Sequence, residues 1–217
     1  MLDYIGYEDT YKFINNNVFD KRDYWLLLIW ECISVENIDN KIIEDFKVYI
    51  LNSFKQEQPI IPTTQVFIRY GERDSELKKL IINQMITNLE FSARFLDYAE
   101  LDENEIIIKF FRNDIDSLVC VYINALSVHC HIDYSGHLFA KIFEQQPTIW
   151  NKYIDWIKIK DNMAKDSNAN KIFEFIWSVD KWREYVEYAF KVLVDNDKLF
   201  YIKTSVKLLF AKTTDET

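Results

Sequence analysis

The chain has 217 residues, and its 35 acidic side chains outnumber its 26 basic ones, which gives a formal net charge of −9. Its hydrophobic residues (49%) and aromatic residues (16%) exceed what a disordered chain carries. Three glycines and three prolines are too few for the turns of a β-sandwich or another loop-rich fold. The composition therefore indicates an all-α fold, and we expect an irregular helical array or bundle of about nine to ten helices.

Apolar residues recur at helical spacing through the N-terminal part of the chain. Tyr7, Tyr11 and Ile14 predict a short first helix that ends near 15–17. The segment 24–33 is apolar on nearly every side, which is typical of a central, buried helix. A third helix is predicted after a turn at Asp39 and Asn40, with its apolar face formed by Ile42, Ile43, Phe46 and Ile50. A fourth is predicted to be capped by Asp74 or Ser75, and its apolar residues are Leu77, Leu80, Ile81, Met85 and Leu89.

Two segments do not follow this spacing. Pro59 and Pro62 precede a run of β-branched and aromatic residues that ends at Gly71, which predicts a short extended segment near residues 60–70. The run 105–111 holds three consecutive isoleucines and fits either a strand or a buried helix. No linker rich in Pro, Gly or Ser divides the chain, so we predict a single helical domain, 1–217, with a weak internal boundary at 59–71.

The C-terminal half carries the most regular apolar stripes. Asn113-Asp114 offers an N-cap to the first of them. The spacing of helix pairs overlaps that of helical repeats, but no signature residue is repeated. Short elements are also expected around 138–143 and 172–176. The stripes are Ile115, Leu118, Val119, Tyr122, Ile123 and Leu126; Trp150, Tyr153, Ile154 and Ile157; Trp182, Tyr185, Val186, Ala189, Phe190 and Leu193; and Leu199, Ile202, Val206 and Leu209.

Alanine is distributed unevenly along the chain. The first 92 residues contain none, and the whole chain has eight. Helices that pack through Phe, Tyr, Trp and Ile should lie toward the wide end of the usual interaxial distances, about 8–10 Å. We therefore expect bulky side chains to dominate the core.

Several kinds of active site are excluded by residues that the sequence lacks. Glycine occurs only at Gly6, Gly71 and Gly136, so neither a dinucleotide-binding loop nor a P-loop can form. The sequence also contains no G-x-S-x-G nucleophile elbow, no H-E-x-x-H zinc helix and no EF-hand loop. We predict no catalytic residue and no cofactor, and hence a protein that is not an enzyme.

The histidines form the one dense group of possible metal ligands. His129, Cys130, His131 and His137 lie within nine positions. On a helix, residues two apart point about 200° away from each other, so His129 and His131 could share an ion only if the helix ends there. We favour a helix C-terminus at which a histidine caps carbonyl groups, and we predict no metal. A metal-dependent hydrolase that uses the His129–His137 region is kept as an alternative.

Other reactive residues have structural interpretations as well. Asp45-Phe46-Lys47 matches a fragment of metal-dependent nucleases, but that chemistry needs the pair on a strand, whereas the spacing predicts a helix. Cys32, Cys120 and Cys130 lie in apolar runs, where free thiols are expected to be buried and inert. Their odd number and the lack of C-x-x-C spacing favour a reducing, cytoplasmic compartment.

The charge and the apolar runs also limit the kinds of partner. A net charge of −9 opposes binding to nucleic acid, and the C-terminal lysines, Lys198, Lys203, Lys207 and Lys212, fit a solvated face better than a phosphate site. The longest apolar stretch, 24–30, is much shorter than the roughly 20 residues that cross a bilayer. The first residues are acidic where a signal peptide is basic. We expect a cytoplasmic protein without a membrane or nucleic-acid partner.

Three functional hypotheses follow. The first is a non-catalytic protein-protein interaction module, a helical scaffold or sensor that belongs to a larger assembly. The second is an acidic inhibitor of the immunity-protein type, which masks a basic partner and is drawn to it by long-range attraction. The third is the metal-dependent hydrolase described above.

Overall fold

A computed structural model describes residues 7–17, 22–33, 37–53, 63–97, 104–128, 133, 136–159 and 167–195. Within these ranges the chain forms twelve α-helices and no strand, which confirms the all-α prediction with slightly more helices than expected. A 3-10 helix, Asp180–Trp182, precedes the last of them. The helices are α1 Tyr7–Asn17, α2 Arg22–Cys32, α3 Asn40–Ser53, α4 Thr64–Gly71, α5 Ser75–Thr87, α6 Leu89–Asp97, α7 Asn104–Phe110, α8 Ile115–Val128, α9 His137–Gln145, α10 Ile149–Ile159, α11 Ser167–Ser178 and α12 Arg183–Val194.

The chain divides into two compact units, Met1–Met85 and Ile86–Thr217. The division falls near the end of α5, away from the boundary at 59–71 that the sequence suggests. The prediction of a single domain, 1–217, stays a prediction. None of the helices in the described ranges combines the length and the apolar character needed to cross a membrane.

The extended segment predicted near residues 60–70 is wrong for its described part, because α4 begins at Thr64. Val66, Phe67 and Tyr70 are almost fully buried, and their spacing brings them to one face of the helix. The β-branched and aromatic residues that suggested a strand therefore build the core through a helix, and packing outweighs local preference. Residues 105–111, for which strand and helix were both open, lie largely in α7.

Trp30 of α2 is the centre of the core in the first unit, as the apolar run 24–33 predicts. Its fully buried ring makes edge contacts with Phe46 at 5.0 Å and with Tyr49 at 4.9 Å, both on α3. Phe46 also contacts Tyr70 of α4, with ring centroids 4.6 Å apart. The indole N–H of Trp30 donates a hydrogen bond to the hydroxyl of Tyr7 at 3.3 Å. The side chain of Trp30 thus joins α2 to α1 and α3, and Phe46 extends the cluster to α4.

Two side chains of α4 pair with the free carbonyl groups at the end of α2. The guanidinium of Arg69 donates to the carbonyl oxygens of Trp30 at 2.7 Å and Glu31 at 3.1 Å. The buried hydroxyl of Tyr70 donates to the Trp30 carbonyl at 3.2 Å, and burial raises the pKa of Tyr70 above its ordinary value. A positive charge at a helix C-terminus is favourable, so Arg69 fixes α2 against α4.

The second unit has an aromatic core around Phe143 and Trp150. Phe143 of α9 lies 5.0 Å from both Trp182 and Tyr185, measured between ring centroids. Trp150 of α10 contacts Phe173 of α11 at 5.1 Å, and its indole N–H donates to the Tyr185 carbonyl at 3.0 Å. These contacts tie together α9, α10, α11 and α12, and they confirm that the stripes at 150–157 and 182–193 form the core.

Helix α8 makes its most extensive contact with α6 and also contacts α9 and α10. Small residues are buried on both partners of the first contact, Ser92 and Ala93 on α6 and Ala125 on α8. The side-chain amide of Asn124 adds a hydrogen bond to the Ile86 carbonyl at 2.9 Å. Small side chains allow helices to approach closely, which fits the extensive contact between α8 and α6.

Four helices begin with a side chain that accepts a backbone N–H, as N-cap residues do. Asp74 accepts from Leu77 at 2.6 Å. Asp114 accepts from the Ser117 N–H at 3.3 Å and from its hydroxyl at 2.6 Å. The sequence left Asp74 or Ser75 open for α5 and Asn113 or Asp114 for α8, and the capping residues are Asp74 and Asp114. The other two caps are Asp39, which accepts from Ile42, and Asn88, which accepts from Phe91.

Candidate functional site

The structure describes only one member of the histidine group. His129, Cys130 and His131 lie outside the described residues, whereas His137 is the exposed first residue of α9. Among the residues that are described, no three His, Cys, Asp or Glu side chains are grouped as metal ligands. The metal-dependent hydrolase stays a prediction. The preceding helix, α8, is described to Val128, and its predicted end at the histidines lies outside the described residues.

A buried carboxylate, Asp133, follows His131 in the chain by two residues. Asp133 is only 5% exposed. Its Oδ2 accepts hydrogen bonds from the Phe139 N–H at 2.9 Å and from the Tyr122 hydroxyl at 3.1 Å. Its Oδ1 accepts from the Leu138 N–H at 3.4 Å. Asp133 therefore satisfies free N–H groups at the start of α9 and joins α9 to α8.

Opposing effects act on the pKa of Asp133. Burial is the largest and raises the pKa above its ordinary value, while the two backbone N–H groups, the Tyr122 hydroxyl and nearby His137 oppose the rise. Burial and the charge of Asp133 both raise the pKa of Tyr122 and of Tyr153. Both tyrosines are consequently neutral at physiological pH, and Tyr122 serves as a donor.

Gly136 makes this turn possible. Its φ of 70° lies in the left-handed region, and its N–H donates to the Asp133 carbonyl at 3.0 Å. A Cβ at this position would stand 3.1 Å from Cγ1 of Ile172. The signal in the sequence was an aspartate three residues before a glycine that precedes an apolar helix. The arrangement acts as a structural cap, since both oxygens of Asp133 already accept hydrogen bonds.

The fragment Asp45-Phe46-Lys47 is helical, as predicted, and its charged side chains have different partners. Asp45 accepts a hydrogen bond from the Tyr7 hydroxyl at 3.1 Å. The Nζ of Lys47 lies 2.9 Å from Glu44, 3.3 Å from Asp74 and 3.8 Å from Glu76. Lys47 is thus the centre of an ion-pair network that links α3 to the start of α5.

The prediction that the cysteines are buried is wrong for Cys32, which is exposed at the end of α2. Leu26, Ile29 and Trp30, earlier in the same apolar run, are buried, whereas Cys32 is the last residue of the helix. Cys120 is partly exposed, and the Nζ of Lys152 lies 3.7 Å from its sulfur. Both thiols are free, and Cys130 lies outside the described residues.

The most distinctive surface of the described residues is a stripe along α3. It consists of Glu44, Lys47, Val48 and Leu51, whose i, i+3, i+4, i+7 spacing places them on one face, and we call it the α3 stripe. Val48 and Leu51 are 54% and 47% exposed. The described residues of the second unit also include exposed large apolar side chains, Leu89, Ile106 and Tyr188, each on a different helix.

The α3 stripe borders an acidic cluster, which we define as Glu44, Asp74 and Glu76. Lys47 is only 15% exposed and reaches all three carboxylates, so its single charge leaves two negative charges unbalanced. The side chains of Glu44 and Glu76 remain 67% and 85% exposed. Sequence reasoning identified the buried face of α3 and missed this one. The signal in the sequence was a pair of apolar residues, at 48 and 51, that do not follow the helical spacing of the buried residues of α3.

Comparison with known proteins adds no relative to these observations. No family model, no curated protein and no solved structure matches the chain. The α3 stripe and the acidic cluster beside it are therefore taken as the candidate functional site on their geometry and charge.

Proposed function

We propose that the chain is a non-catalytic protein-protein interaction module, a helical scaffold or sensor that works within a larger assembly. The observation that carries the proposal is the α3 stripe, where two large apolar side chains face solvent beside the acidic cluster. Exposed apolar residues rimmed by polar ones are typical of protein-binding surfaces.

The uses of the polar side chains support the same proposal. Asp133, Asp74 and Asp114 accept backbone N–H groups at helix starts. Arg69 pairs with carbonyl groups at a helix end. Side chains with these roles stabilise the fold. The proposed function accordingly includes no catalytic step and no cofactor.

An acidic inhibitor that masks a basic partner is the second candidate. The net charge of −9 and the two unbalanced charges of the acidic cluster favour it. An attraction of this kind acts mainly on the association rate and weakens as salt is added. Under both candidates the partner is another protein rather than nucleic acid or a membrane, and the expected compartment is the cytoplasm.

Purification of the tagged full-length chain from its native cells tests the proposal. An interaction module should bring down a partner in a stoichiometric ratio, and a scaffold should keep it as salt rises. An inhibitor should release a basic partner between about 50 mM and about 500 mM salt, because screening then shortens the reach of charge. Two results together would contradict the proposal. The first is recovery of the chain alone at every salt concentration, and the second is turnover of a substrate that is lost when one side chain is changed.

A further inference from the structure

Resting on the proposed function, we propose that the α3 stripe binds a basic amphipathic helix of a partner protein. Val48 and Leu51 lie on a straight row along α3, one turn apart. A row of this kind matches the apolar row of another helix, because ridges of one helix pack into grooves of the next. Burying these two half-exposed side chains supplies the apolar part of the binding energy.

The charge around the stripe selects a basic partner. The acidic cluster has three carboxylates against the one ammonium group of Lys47. Lys47 is held among them, so it cannot turn outward to pair with an acidic ligand without breaking these contacts. Glu44 and Glu76 are well exposed and can each accept a lysine or arginine from the flank of a partner helix.

The same charge argues against two other occupants. A second copy of the chain would bring two acidic clusters together across the apolar row, and like charges at an interface are unfavourable. An anionic membrane surface attracts basic rather than acidic segments. The stripe is also small, so by itself it accounts for a weak contact, of the kind that buries less than about 1,200 Å².

A labelled synthetic helix tests the site directly. The probe is a peptide as long as α3, made of leucine and lysine, with leucines on one helical face. A scrambled peptide of the same composition and an analogue with glutamate in place of lysine are the comparison ligands. Binding to the full-length chain is followed by fluorescence anisotropy at about 50 mM and about 300 mM salt.

The decisive variant is V48K/L51K, which removes the apolar row and adds charge of the wrong sign. We expect it to weaken binding of the probe by at least about tenfold. The matched control is L89K/I106K, which adds the same charge at positions 48% and 45% exposed in the second unit and should change the affinity by less than about twofold. E44Q/E76Q should weaken binding several-fold at low salt and little at high salt.

Several results would overturn the inference. One is equal weakening by V48K/L51K and L89K/I106K, since net charge alone would then explain binding. Others are equal affinity for the scrambled or glutamate peptide, and a dimer of the free chain that V48K/L51K dissociates. Helical circular dichroism checks that each variant folds, and V48S/L51S replaces V48K/L51K if the latter does not.

The outcome for this site can be separated from the outcome for the proposed function. A native partner that V48K/L51K no longer retains supports both. A native partner that this variant still retains would leave the interaction module standing and overturn the site. Peptide binding without any native partner would overturn the interaction module instead.

Discussion

Large buried rings fill the cores of both units, and among the described residues the second unit buries more small and polar side chains than the first. No alanine occurs in the first 92 residues, and Trp30, Phe46, Phe67 and Tyr70 are fully buried there. The second unit holds all eight alanines of the chain, and those whose burial the structure describes, Ala93, Ala125, Ala140 and Ala189, are buried. Bulky side chains are therefore prominent in both cores, as expected, and the second unit adds small residues to them.

Buried polar residues are also more numerous in the second unit than in the first, among the residues that the structure describes. Among the described residues, Thr64 is the buried polar residue of the first unit, whereas the second has Ser92, Asn104 and Asp133. In the first unit, Arg69 and Tyr70 make their hydrogen bonds to the end of a helix. In the second, Asp133 places a carboxylate inside the unit and fixes where α9 begins. Ring packing thus contributes to both cores, and the second adds small residues and a buried cap.

The largest expected effect is that of Trp30→Ala in the first unit. The cavity left by this fully buried ring should cost about 3–5 kcal/mol of unfolding free energy. Urea denaturation followed by circular dichroism measures the loss, with exposed Val48→Ala as the control. Hydrogen exchange should show α2, α3 and α4 losing protection while α8, α9 and α10 keep it. Equal loss of protection in both units would show that their cores are not separate.

Asp133→Ala is the corresponding test of the buried cap in the second unit. It leaves the N–H groups of Leu138 and Phe139 and the hydroxyl of Tyr122 without their acceptor, which should cost about 3 kcal/mol. Asp133→Asn keeps an acceptor oxygen and should cost less, about 1 kcal/mol. Urea denaturation of both variants measures the difference. An Ala variant as stable as the wild type would show that the cap has no energetic role.

The pH dependence of stability tests the environment of Asp133. Because burial raises its pKa, the folded protein holds this proton more tightly than the unfolded chain does. The stability that Asp133 contributes is therefore fully present below the ordinary pKa, about 3.9, and is lost as pH rises through the raised pKa. Relative to Asp133→Asn, the wild type should become less stable as pH rises over this range. The opposite trend would show that hydrogen bonding outweighs burial.

Much of the fold follows from periodicity and capping chemistry, because both depend on nearby residues. The stripe at 115–126 predicted α8, and the aspartates at 74 and 114 predicted the starts of α5 and α8. The segment at 64–71 was mistaken for an extended one because its branched and aromatic residues meet partners distant in sequence, such as Phe46. Local preference contains no information about those partners.

The candidate site was harder to predict than the fold. The ion pairs of Lys47 join residues that are 27 and 29 positions apart in the chain, Asp74 and Glu76, so no local motif announces them. The exposure of Cys32 was missed for a related reason, since an apolar run does not show which face of its helix meets the core. Asp133 is buried by α8 and α9 together, and its burial could be inferred only from their packing.

Ala125→Leu tests close packing in the second unit. Ala125 is fully buried on α8, and a larger side chain there should push α8 away from the helices around it, at a cost of about 2 kcal/mol. Ala125→Ser is the control, because its hydroxyl can bond the carbonyl four residues earlier and adds little volume. Thermal unfolding compares the two variants. A Leu variant as stable as the Ser variant would show that α8 has spare room.

The smallest expected effect should be the same in both units. Asp74→Ala removes the acceptor of the Leu77 N–H and should cost about 1 kcal/mol at neutral pH, as should Asp114→Ala in the second unit. The Leu77 N–H and then Lys47 lower the pKa of Asp74 in the folded protein. The stability that Asp74 contributes is therefore present above its ordinary pKa and is lost as pH falls through the lowered pKa. The difference between wild type and Asp74→Ala should therefore shrink in acid, which urea denaturation at several pH values measures. A cost several times larger for Asp114→Ala would show that the units also differ in how their helices begin, and not in their cores alone.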